Sequence, residues 1–181
     1  MLVEVTSLSG LLIFTPTVHV DERGYVTRTC DAAIAESVGV DPWSFVQDGQ
    51  SRSHQGVIRG LHLRRGQGEA ALVRCSFGEV FDVVVDLRPG SKTFGRHETF
   101  RLNDQQHRTL YIPRGCAHGY QALTEPADVF FRVDSVQDAS EVMAIAHDDP
   151  AIGISWPFPP TLMSERDSHA PRLDHIRHLL A

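Results

Sequence analysis

The chain has 181 residues, 41% of them hydrophobic, enough for one domain with a sizeable core. Its 23 acidic residues outnumber the 17 basic ones, and a net charge of -6 sets up no field that would draw in a nucleic-acid backbone. The three cysteines, Cys30, Cys75 and Cys116, are odd in number and lack a C-x-x-C spacing, so neither a disulfide framework nor a zinc knuckle follows, and no apolar run approaches the roughly 20 residues that span a bilayer.

The first residues, Met1-Leu2-Val3-Glu4-Val5, carry an acid early and do not read as a signal peptide. The expectation is a soluble, cytoplasmic protein. From there, short apolar runs rich in Val, Phe, Ile and Thr alternate with Gly, Pro, Asn and Asp clusters, the pattern of an all-β sandwich or barrel. In chain order the predicted strands cover residues 11–14, 25–29, 44–47, 57–63, 72–75, 80–87, 109–112, 129–133 and 142–146. Two helices are predicted. One covers 31–38 with Asp31 as N-cap, and the other covers 171–180 with Pro171 in its first turn, near the C-terminal end. The piece Trp156-Pro157-Phe158-Pro159-Pro160 cannot continue a sheet and reads as a rigid crossing that carries the tail back over a barrel mouth. No repeat or linker divides residues 1–181, so one domain is expected.

Three segments carry chemistry. In Val80-Phe81-Asp82-Val83-Val84-Val85-Asp86, period-2 alternation puts Asp82 on the face of Val80 and Val84, so either it has a buried partner or it lines a wet cavity; the alternative is a solvent-facing strand side. In Ile58-Arg59-Gly60-Leu61-His62, strict alternation sends Arg59 and His62 to opposite faces, whereas a bulge at Gly60 would aim both into one cavity. The alternative is one inward histidine with Arg59 on the surface. Third, Pro113-Arg114-Gly115-Cys116-Ala117-His118-Gly119 places His118 just after a turn. Divalent metals want three or four ligands, and the earlier strand offers only His62, flanked by Gly60 and Arg64, so no metal site is expected.

Taken together, Asp21-Glu22-Arg23-Gly24, Gln47, Ile58-Arg59-Gly60-Leu61-His62, Gly78-Glu79-Val80-Phe81-Asp82-Val83, Asp86-Leu87-Arg88, Ser91-Lys92-Thr93-Phe94-Gly95, Ile112-Pro113, Ala117-His118-Gly119-Tyr120, Asp149-Pro150, Ile154-Ser155-Trp156-Pro157 and Ser164-Glu165-Arg166-Asp167 follow one another as in the dTDP-4-dehydrorhamnose 3,5-epimerase family, which this chain resembles over nearly its whole length. The resemblance implies an all-β cupin jelly-roll barrel with a few short helices. It also implies a homodimer with swapped N-terminal strands, no metal or organic cofactor, and a dTDP-linked 4-keto-6-deoxyhexose as substrate. By the same resemblance His62 is the general base, paired with Asp167. Arg23, Gln47, Arg59 and His118 bind sugar or nucleotide, and Glu141 and Arg166 match nucleotide-contacting positions.

The chain also departs from the pattern it resembles. Phe131 stands where the family has a proton-donating tyrosine, Ala71 where it has a lysine beside the keto oxygen, and Arg28 where it has a glutamate. Asp82, Phe131 and Arg28 are kept among the candidate substrate-binding positions. Tyr25 and Tyr120 fall at family aromatic positions and read most simply as packing residues. Three readings stay open: an epimerase acting at one carbon or two, a cupin that binds a nucleotide sugar without turning it over, and a different reaction on a related ketosugar.

Overall fold

The computed structural model describes residues 1–136 and 138–180. Its strands are β1 (Leu2–Val5), β2 (Leu12–Thr15), β3 (Val18–Asp21), β4 (Gly24–Thr27), β5 (Gln47–Ser53), β6 (Ile58–Arg64), β7 (Ala71–Phe77), β8 (Glu79–Asp86), β9 (His97–Asn103), β10 (Thr109–Ile112), β11 (Cys116–Ala122), β12 (Ala127–Val133) and β13 (Val142–Ala144). Helix α1 (Ala32–Ser37) sits between β4 and β5; α2 (Glu165–Ser168) and α3 (Leu173–Ile176) follow β13. The strands form a six-stranded sheet ordered β1-β2-β10-β7-β12-β5, a five-stranded sheet ordered β13-β6-β11-β8-β9, and a separate β3-β4 hairpin. Every pairing between them is antiparallel. This is the all-β jelly roll of the cupin class. Among the described residues no helix is long and apolar enough to cross a membrane.

Side-chain alternation explains the layering. Val80 and Val84 of β8 point between the two large sheets, where they pack with Leu8, Val73, Leu110 and Val129. The other side of the same strand, Val83 and Val85, packs with Ile145, Leu173 and Ile176 of the C-terminal segment. The tail therefore covers the outside of the five-stranded sheet and accounts for a strand that is apolar on both faces. Full burial of a side chain such as Leu173 or Ile176 contributes roughly 1.5–3 kcal/mol. Asp149, 2% exposed, fixes this layer by accepting hydrogen bonds from the backbone N–H of Ala151 (2.8 Å) and Leu173 (2.6 Å). On the far side, Ala35 of α1 joins Leu12, Phe14 and Leu72 against the six-stranded sheet. Asp31 caps that helix, as expected, accepting from the N–H of Ile34.

Several boundaries differ from the sequence reading. The segment 44–47 is not a strand; Phe45 packs beneath α1, and the strand begins at Gln47 and runs through the polar residues to Ser53. The expected helix over 171–180 is shorter: Arg172 rather than a residue before Pro171 is the N-cap of α3, and a 3-10 turn, Arg177–Leu179, follows. Strands β1, β3, β9 and β11 were given no predicted range, and the four-residue helix α2 was not anticipated.

Candidate active site

Strand β6 supplies the centre of the site. Against β11, His62 pairs with His118 and Arg59 with Tyr120, so three steps along β6 match two along β11, and the extra residue is a bulge. It falls at Gly60, whose φ of +125° is open to glycine and strained for other residues; an added Cβ would also lie 2.5 Å from Gly119 Cα. The bulge turns Arg59 and His62 into the same cavity, a space of about 610 Å³ between the two large sheets. Arg59 remains exposed, as the alternative had it, but it lies on the cavity lining together with the half-buried His62.

The imidazole of His62 is oriented by a residue far along the chain. Ser164 caps α2, its hydroxyl accepting from Asp167 N–H, and this places the Asp167 side chain against β6. Asp167 Oδ1 lies 2.8 Å from His62 Nε2, and Oδ2 accepts from Gly60 N–H at 3.2 Å. Arg166 Nη2 is 3.1 Å from the same imidazole nitrogen. One nitrogen cannot donate to a carboxylate and accept from a guanidinium at once. The carboxylate contact is shorter and joins a donor to an anion, so Nε2 carries hydrogen and the lone pair of the neutral ring is on Nδ1. His62 has 32% of its side chain exposed against 3% for Asp167, so the imidazole is open to a ligand and the carboxylate is not.

Burial alone would raise the Asp167 carboxyl, but the hydrogen bond and positive charge of His62, the Gly60 amide and Ser164 outweigh it and bring the pKa from 3.8 down to about 2. A carboxyl whose folded value is depressed adds stability that is complete above its unfolded value and disappears as pH falls through the folded one. Urea titrations between about pH 5 and pH 2 are therefore expected to show Asp167→Asn flattening the acid loss of stability, by roughly 2 kcal/mol across that window.

A second His–Asp pair lies beside the first. His118 Nε2 is 2.8 Å from Asp82 Oδ2, and Asp82 is fully buried. Asp82 thus faces the barrel interior with a partner, and the solvent-facing alternative does not hold because the tail covers the outer face of β8. Its other oxygen, Oδ1, is buried with no hydrogen-bond partner among the described residues.

Of the remaining candidates, Gln47, Phe131 and Arg166 line the cavity, as does Ala71. Asp82 sits behind His118 and does not reach the cavity surface. Glu141 is drawn to the rim by Arg64, which donates to it through Nε (2.8 Å) and Nη2 (2.5 Å) while also meeting Glu69. Arg23 and Arg28 lie outside the cavity of their own chain. Arg23, 83% exposed, pairs with Asp21 at the β3-β4 turn, and Arg28 pairs with Asp31. Two serines not singled out in the sequence also belong to the site: Ser51 and Ser53 of β5 hold the Tyr120 hydroxyl at 2.8 and 3.1 Å. Their signal was the two-residue spacing, which puts both on one face. Cys116 also lines the cavity, and desolvation pushes its thiol up to about 12, which leaves it unreactive. Among the described residues no group of three His, Cys, Asp or Glu side chains forms a metal-ligand set.

The arrangement offers an oriented imidazole with a free nitrogen at the wall of a cavity that is otherwise part apolar and part rimmed by arginines. Such a site suits proton abstraction from a neutral carbon acid carried by an anionic group. Comparison with known proteins agrees in kind. The sequence model of the family described as dTDP-4-dehydrorhamnose 3,5-epimerase matches residues 5–175. The protein of that name from Methanothermobacter thermautotrophicus is 42% identical over 165 residues, covering 90% of this chain and 89% of the relative. Among solved structures, a 4-keto-6-deoxy sugar epimerase from the novobiocin biosynthetic gene cluster of Streptomyces spheroides superposes with a TM-score of 0.94 at 34% identity, covering 98% of this chain and 90% of the other. A 3'-monoepimerase from Streptomyces bikiniensis, solved in complex with dTDP-quinovose, gives 0.89 at 30% identity, with coverages of 96% and 89%.

Proposed function

We propose, for a chain that belongs to the dTDP-4-dehydrorhamnose 3,5-epimerase family, that the cavity binds a dTDP-linked 4-keto-6-deoxyhexose and that His62 removes a proton from a carbon beside the ketone. The observation that carries this reading is the contact of 2.8 Å between His62 and Asp167 at the cavity wall. A proton next to a ketone is weakly acidic, and its mismatch with imidazole is roughly ten pKa units, on the order of 15 kcal/mol. Base strength alone does not bridge that gap. Asp167 stabilises the imidazolium as it forms, and hydrogen-bond donors at the cavity wall, Arg59 among them, meet the enolate oxygen. Exchange of a proton changes no oxidation state, so the reaction calls for no redox cofactor.

The apolar wall carrying Ala71 and Phe131 supports action at one carbon rather than two, because it lacks the donor pair that double epimerisation uses in the pattern this chain resembles. The structural neighbour that is a 3'-monoepimerase supports the same choice. Incubation with dTDP-4-keto-6-deoxyglucose in deuterium oxide, followed by NMR, is the test. Deuterium at one of C3 and C5 is the expected result and label at both carbons would restore double epimerisation. No label together with saturable dTDP binding would overturn the enzyme reading in favour of a binding protein.

We also infer a homodimer. Among the described residues the β3-β4 hairpin pairs only with itself and leaves Val20, Tyr25 and Val26 at 78%, 56% and 70% exposure, while β1 at the sheet edge leaves Leu2 and Val5 open. An arm docked on a second copy would cover these side chains and carry Arg23 towards the neighbour's cavity. Light scattering is expected to give twice the 20.1 kDa chain mass, and deletion of residues 18–27 is expected to weaken dTDP binding; a monomer with full affinity would refute the assignment.

A further inference from the structure

Inversion at a carbon needs proton carriers on both faces of the sugar ring, and His62 provides one. The opposite wall is apolar at Ala71, Val73, Val129, Phe131 and Val133, and the Gln47, Gln50 and Ser51 side chains that β5 adds beside them are far weaker proton donors than a phenol. His118 does not fill the gap. It is the cross-strand partner of His62 in the same sheet, so a proton from it returns to the face from which one was taken.

Tyr120 differs from both. It is rooted on β11, two residues from His118 and on the same inward side, but its side chain crosses the barrel. Its hydroxyl rests against Ser51 Oγ at 2.8 Å and Ser53 Oγ at 3.1 Å, both on β5 in the other sheet. There Ser51 pairs with Val129 and Gly49 with Phe131, so the phenol sits one inward pair from the Phe131 ring, which packs over Gly49. Both Tyr120 and Ser51 line the cavity. The hydrogen bonds also favour release of the phenol hydrogen. Arg59 Nε donates to Ser53 Oγ at 3.0 Å, which leaves the Ser53 hydroxyl hydrogen to donate onward to the phenol oxygen. A phenolate formed there is met by two serine hydroxyls, one of them backed by a guanidinium.

We infer that Tyr120 is the second proton carrier of this site, delivering hydrogen to the ring face opposite His62. The inference rests on the epimerase reading above. In the step, the C–H bond breaks towards Nδ1 of His62 and leaves an enolate; a new C–H bond then forms on the other face from the Tyr120 O–H, leaving imidazolium and phenolate. The imidazolium gives one proton to solvent and the phenolate takes one up, so nothing is oxidised or reduced.

Product analysis in deuterium oxide with dTDP-4-keto-6-deoxyglucose separates exchange from inversion. In Tyr120→Phe, epimer formation is expected to fall by about 100-fold or more while deuterium still enters the sugar of unchanged configuration through His62. Combining Tyr120→Phe with Phe131→Tyr is expected to recover about tenfold of the lost inversion by returning a phenol to that wall. Parent-level epimer formation in Tyr120→Phe overturns the inference and leaves the enzyme reading standing. Absence of any exchange in the parent protein overturns both. Should Tyr120→Phe fail to bind dTDP through misfolding, the Ser51→Ala, Ser53→Ala double variant decides: it keeps the phenol but strips its partners, and unchanged inversion there overturns the assignment.

Discussion

Replacing His62 with alanine is expected to abolish deuterium entry from solvent into the ketosugar, a loss of about a thousandfold or more, while dTDP binding stays within about threefold of the parent. The separation follows from geometry. The imidazole sits at the cavity wall beside Asp167, so its removal takes away the base and one contact of Arg166, while Arg59 and Arg64 keep their own partners, Ser53 and Glu141. Asp167→Asn is a sharper probe of the same pair. The amide can still accept through oxygen, yet it no longer stabilises an imidazolium and it can present N–H to the ring, which favours the wrong tautomer. A loss of about 100-fold in exchange is expected, with binding kept. Exchange at the parent rate in either variant would remove His62 from the role of base.

The second large effect is structural. Gly60→Ala is expected to destabilise the fold by roughly 3 kcal/mol in urea titrations and, where folded protein is recovered, to lower exchange as well. The new methyl would face Gly119 Cα at 2.5 Å and His118 O at 2.9 Å, both on backbone that has no rotamer to yield. It would also force a non-glycine residue to a φ of +125°. Relief requires β6 and β11 to separate or the bulge to be lost, and in either case His62 and His118 leave register. A variant with parent stability would show that the strands are not held as close as the structure places them.

Much of the fold was legible because most strands bury at least one face. The runs at 57–63, 80–87 and 129–133 were placed within a residue or two by their apolar content. The failure at 44–47 is informative. Ser44-Phe45-Val46-Gln47 looks like a strand, yet the chain pairs through Gln47-Asp48-Gly49-Gln50-Ser51-Arg52-Ser53, which has hardly an apolar residue. That strand has solvent on one side and a wet cavity on the other, so neither face selects hydrophobic residues and the usual pattern has nothing to report. For the same reason Ser51 and Ser53 escaped notice although they belong to the site. Helix α2 escaped for another reason: four residues do not complete a period, and only its Ser164 cap and the carboxylate that it positions reveal its purpose. By contrast, the pairing of His62 with Asp167 was expected from resemblance alone, since nothing local links residues 105 apart.

The separation has a consequence for the chain as it is made. Both large sheets are complete once β13 has left the ribosome, yet the imidazole at their centre still lacks its anchoring anion, which arrives with a later stretch that must fold back across the outside of the barrel. Docking of that last layer thus both shields the valines of β8 and brings the imidazole its carboxylate partner.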